Sequence, residues 1–80
     1  GTIIVDGRTE IEKIEEHLKI KLERGRYETI SGLILNTIRR IPHQGEKFII
    51  EGMEITIEST DERTIKRVKI QVMEHDSSDE

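Results

Sequence analysis

Met53-Glu54-Ile55-Thr56-Ile57-Glu58 alternates apolar and polar side chains without a break. That two-residue period belongs to a β-strand with one buried face and one wet face. Before it, Lys47 to Ile50 reads as a second strand, and Glu51-Gly52 as the tight turn that joins the two into a hairpin. After it, Ser59 to Arg63 reads as another turn, and Val68, Ile70 and Val72 alternate with Arg67, Lys69 and Gln71 in a last strand. Ile65 is out of phase with Val68. An extra residue near Lys66-Arg67 restores the register, so a β-bulge is predicted there, with Arg67 and Lys69 set near Glu58 and Thr56 on the outward face.

Upstream, the β-branched run Thr2-Ile3-Ile4-Val5 stops at Asp6-Gly7 and reads as a strand ending in a turn, where replacing Gly7 with Val should be damaging if the turn needs a positive φ. Thr9 and Glu12 have the spacing of a capping box, and Ile11, Ile14 and Leu18 recur at helical intervals, so a first helix is predicted from about Glu10 to Leu18. Lys21 to Glu28 is polar, contains Gly25 and reads as a loop, with Ile20 and Leu22 turned back to the core. A second helix follows. Thr29 caps it, Ile30, Leu33, Ile34, Ile38 and Ile41 form its apolar face, Arg39 and Arg40 suit its end, and Pro42 stops it. Gly32 in its first turn predicts close backbone packing there, against a strand. The whole is an α+β fold in the order strand-helix-helix-strand-strand-strand, with the helices packed on a small antiparallel sheet.

Eighty residues make one domain, predicted over residues 1–73, with residues 74–80 as a disordered acidic tail that has nothing apolar to bury. The net charge of −4 comes from that tail, and before it acids and bases are equal in number. A balanced body with only Tyr27 and Phe48 as aromatics argues against a nucleic-acid partner, which would want a basic surface and stacking platforms. No apolar run is long enough for a transmembrane helix, so direct membrane insertion by these residues is not expected. Opening on Gly1-Thr2 rather than Met suggests an excised piece of a longer protein or a tag remnant.

No cysteine is present, which excludes disulfides and thiolate chemistry. His17, His43 and His75 fall on a helix end, a loop and the tail, without the spacing that puts two on one face, and Asp61-Glu62 lacks the alternation of a calcium loop. The glycines form neither a dinucleotide nor a phosphate-loop motif. No serine lies in a nucleophile motif. No catalytic or metal-binding residue is predicted, and the chain is read as a non-enzyme. The basic run Arg63 to Lys69 and the pair Arg39-Arg40 could receive an anionic ligand or an acidic partner surface, and an edge strand or the Gly32 helix face could mediate self-association as a homodimer.

Four segments in order, Ile4-Val5-Asp6-Gly7-Arg8-Thr9, Tyr27 to Leu35, Arg40-Ile41-Pro42 with Gly45-Glu46, and Ile65 to Ile70, resemble the transporter-associated CorC/HlyC domain. The resemblance implies the C-terminal, cytoplasmic domain of a membrane protein that also carries a transmembrane domain and paired CBS domains, which would be its partners. It implies an accessory, regulatory role in magnesium and cobalt efflux. Its fold is similar to part of the PCMH-type FAD-binding fold, so FAD is expected by fold analogy only, with an adenine nucleotide or a divalent cation as the other ligands of an alternative binding role. The resemblance brings no catalytic residues. The structural or interaction candidates are Asp6, Gly7, Gly32, Leu33, Pro42, Gly45 and Arg67.

Overall fold

The computed structural model describes residues 1–23 and 25–73. The expected acidic tail, residues 74–80 with His75, lies outside the described residues. The elements run β1 (Thr2–Asp6), α1 (Ile11–Leu18), α2 (Ile30–Ile38), β2 (Lys47–Ile50), β3 (Met53–Thr60) and β4 (Ile65–Val72). All strand pairs are antiparallel, and the sheet order is β1-β4-β3-β2. The α+β order read from the sequence is therefore the observed one.

The two-residue period sorts the sheet into two faces. One row, Ile3, Ile70, Ile55 and Phe48, crosses all four strands and packs beneath the helices. α1 contributes Ile11 and Ile14 to this core and α2 contributes Ile30, Leu33 and Ile34, while Leu22 folds back from the loop. The opposite row, Ile4, Lys69, Thr56 and Lys47, faces outward. Lys69 thus meets Thr56 as predicted.

The bulge differs in detail. Ile57 pairs with Val68, Ser59 with Arg67, and Thr60 with Ile65. Glu58 is therefore extra on β3 and Lys66 is extra on β4, two irregularities that cancel. Arg67 stands opposite Ser59 instead of Glu58, because β3 takes up half of the mismatch.

Both helix boundaries depart from the sequence reading. Glu10, not Thr9, is the N-cap of α1, and the Glu10 side chain makes no capping hydrogen bond. Thr9 instead accepts the Ile30 amide through its carbonyl at 2.9 Å, so the segment before α1 pairs with the start of α2. Thr29 does cap α2, accepting the Gly32 amide at 3.1 Å. That helix ends at Ile38 rather than at Pro42, because Arg39 turns left-handed (φ 64°) and donates its amide to Leu35. The early stop lets Pro42 tuck into a buried position and brings Arg40 beside Glu46. Gly32 meets the Tyr27 side chain, its Cβ 3.0 Å from where a glycine Cβ would stand, and not a strand.

The turn after α2 is held by one carboxylate. Glu46 Oε1 and Oε2 accept Arg40 Nη1 and Nη2 at 2.9 Å each, and the His43 amide donates to Oε1 at 2.7 Å. The Arg40 guanidinium also lies 5.8 Å from the centre of the Phe48 ring. Chiefly through the Arg40 hydrogen bonds, the Glu46 carboxyl is lowered to about 2. A folded-state value below the unfolded one contributes stability above the unfolded pKa of 4.5 and loses it as pH falls toward about 2. The melting temperature is expected to drop across that acid window, and Glu46→Gln should flatten the drop. Equal slopes in the two proteins, measured by thermal melts across those pH values, would refute the assignment.

Candidate functional site

β1 and β4 end together at one end of the sheet. Asp6 pairs with Arg67, and the next residue, Gly7, donates its amide to the Lys66 carbonyl at 2.9 Å. The Gly7 carbonyl in turn accepts the Ser31 amide at 2.9 Å, which fixes the start of α2 over the end of β1. Gly7 is buried and its φ is not positive, so the turn does not need the residue for that conformation. The residue is needed for space: a Cβ there would stand 2.1 Å from the Ile65 carbonyl oxygen.

Around this junction opens a cleft of about 440 Å³, lined among others by Asp6, Arg8, Ser59, Thr64, Lys66 and Arg67. Three cationic side chains thus share it with two hydroxyls and one carboxylate. Asp6 Oδ1 accepts the Arg8 amide at 2.7 Å, and Arg8 Nε lies 3.5 Å from the same oxygen. That amide, with the charges of Arg8 and Arg67, holds the Asp6 carboxyl below its ordinary value. Lys66 Nζ is 3.8 Å from Asp61 Oδ2, and Asp61 Oδ1 closes the β3–β4 turn by accepting the Arg63 and Thr64 amides at 2.8 Å each. The chemistry on offer is recognition of an anionic group by guanidinium and ammonium donors.

Of the seven sequence candidates, Asp6, Gly7 and Arg67 come together here. Gly32 and Leu33 sit in the first turn of α2, Leu33 with its side chain in the core and Gly32 against Tyr27. Pro42 is buried, and Gly45 adopts φ 92° while donating its amide to the Ile57 carbonyl at 2.7 Å. These four serve the fold. Lys66 lies in the basic run Arg63 to Lys69 that the sequence put forward, whereas Arg8 was not singled out for binding, because only the pairing of β1 with β4 brings it to the same cleft. Among the described residues, no group of three or more His, Asp or Glu side chains is placed to hold a metal ion, and no helix is long and apolar enough to cross a membrane.

The family model of the transporter associated domain, CorC_HlyC, matches residues 1–74. The chain belongs to this family. A possible hemolysin C of Rickettsia bellii is 38% identical over 73 residues, covering 88% of this chain and 24% of that protein. The transporter associated CorC_HlyC domain spans about a quarter of the length of the curated relatives it matches. Among solved structures, a putative Mg2+ and Co2+ transporter (CorC) associated region from Neisseria meningitidis is 25% identical with a TM-score of 0.82, covering 90% of this chain and 89% of that one. The CorC_HlyC domain of a Xylella fastidiosa hemolysin, solved in complex with Mg++ and Mn++, is 31% identical with a TM-score of 0.77, over 92% and 90% of the two chains.

Proposed function

We propose that this domain is a non-catalytic accessory module of a CBS-domain-containing membrane protein, on its cytoplasmic side, and that it modulates divalent cation efflux through protein contacts. The reading is supported by one feature above all. The helices cover only one face of the sheet, and the outward face, where Lys47, Lys69 and Arg67 stand with Glu54 and Asp6, becomes predominantly cationic where it runs into the cleft of Arg8 and Lys66. Such a surface suits an acidic patch on a neighbouring domain, where complementary charge would fix register and speed docking.

The test is Arg67→Glu in the full-length parent. Arg67 is exposed, so the variant domain should still fold, at a small cost for setting a second carboxylate opposite Asp6. Cation efflux, or its response to the parent's other domains, is expected to change severalfold. Unaltered efflux with a correctly folded variant would overturn the docking role.

A ligand-binding reading is favoured by the same cations, since Arg8, Lys66 and Arg67 with the Ser59 and Thr64 hydroxyls could take a phosphate of an adenine nucleotide or of FAD. Thermal shift of the isolated chain separates the two. A ligand present at about 100 times its dissociation constant adds about 2.7 kcal/mol of stability, whereas a docking surface leaves the melt unchanged.

A further inference from the structure

We propose that the free edge of β1 pairs antiparallel with β1 of a second copy about a two-fold axis through Ile4, joining two four-stranded sheets into one. β1 stands at the margin of the sheet, with no described strand on its outer side. Its ladder with β4 fixes which backbone groups point outward. Val72 donates its amide to the Gly1 carbonyl and Gly7 donates its own to the Lys66 carbonyl, so residues 1, 3, 5 and 7 turn toward β4. Thr2, Ile4 and Asp6 therefore turn their amides and carbonyls to the open side. Of these, the Asp6 carbonyl already accepts the Thr9 amide at 3.0 Å.

This pattern is self-complementary. β1 is five residues long with Ile4 at its centre, so antiparallel pairing there sets Ile4 against the partner's Ile4 and Thr2 against the partner's Asp6. The Ile4 side chain, 58% exposed on the outward face, would be covered by its symmetry mate. On the helix side, a groove of about 590 Å³ runs between β1 and α1, walled by Ile3, Val5 and Ile14 and rimmed by Lys13, Glu16 and His17. The two-fold axis lays the two α1 helices side by side and antiparallel. The rim that carries Lys13 and Glu16 would then face the same rim of the partner, so that each side offers both signs of charge to the other.

Before Asp6, the edge also lacks devices that keep strands apart, since Thr2 to Val5 hold neither Pro nor a charge and no bulge interrupts the ladder. β2, at the other margin, has four residues and opens on Lys47. The inference goes beyond the docking role proposed above and does not rest on it.

Sedimentation equilibrium of the 80-residue chain, from micromolar to millimolar, tests it with three variants. Ile4→Pro removes an outward amide while leaving the β4 ladder intact, as edge strands tolerate. It should weaken the dimer about thirtyfold through two lost interchain hydrogen bonds. Ile4→Lys, which keeps the backbone, should weaken it comparably, and Ile49→Lys on the far edge should leave it unchanged. Circular dichroism at each concentration confirms that the variants fold. A wild type that stays monomeric at millimolar concentration overturns the proposal, as does a dimer that survives Ile4→Pro and Ile4→Lys or one that Ile49→Lys abolishes.

Discussion

Replacing Gly7 with valine is expected to destabilise the domain by about 3 kcal/mol or more, the upper range for forcing extra atoms into a packed site. A Cβ at this position would stand 2.1 Å from the Ile65 carbonyl oxygen and 3.0 Å from its carbon, so the obstacle is backbone and no rotamer change can clear it. To make room, β1 must move away from β4. That movement breaks the Gly7–Lys66 hydrogen bond and pulls the Gly7 carbonyl from the Ser31 amide, releasing the start of α2 as well. Alanine carries the same Cβ and should cost nearly as much. Urea unfolding decides the matter: a Gly7→Ala variant within about 0.5 kcal/mol of wild type, the ordinary range for surface changes, would show that the junction yields. By contrast, Gly45→Ala would test backbone strain at φ 92°, where nothing lies within reach of an added Cβ.

The second large effect lies at the centre of the sheet. Ile55 is fully buried, between Ile70 on β4 and Phe48 on β2. Ile55→Ala removes three carbons from a site walled on both sides by strands that cannot collapse inward, so a loss of about 2–5 kcal/mol is expected. A domain of this size has a total stability near the low end of about 5–15 kcal/mol. Much of the Ile55→Ala population should therefore be unfolded at physiological temperature. Ile49→Ala on the outward face, at a position 66% exposed, serves as the control and should change stability little. If the two substitutions cost the same, the assignment of the two sheet faces is wrong.

These effects differ in how far the sequence foretold them. The strand faces were legible because a two-residue period leaves each side chain a single side, so Ile55 and Ile70 could be assigned to the core without coordinates. The importance of Gly7 was legible, but its reason was not: the close approach to Ile65 arises only when β1 lies beside β4, strands separated by most of the chain. The cleft shares that origin. Asp6 and Arg67 were singled out individually and Lys66 within its basic run, while only the strand pairing joins Asp6 and Arg8 to Lys66 and Arg67 in one cleft. The end of α1 at Leu18 was legible, but the end of α2 was hidden because Arg39 closes it in a left-handed conformation that usually marks glycine.

Local periodicity and turn chemistry by themselves determined the number, order and kind of elements, because those are set by residues within a few positions of one another. Which strands became edges, where the compensating bulges fell, why Gly7 admits no side chain and which charges share the cleft were decided by the tertiary structure. Each depends on contacts between segments distant along the chain, and a short-range pattern carries no record of which distant partner will lie alongside it.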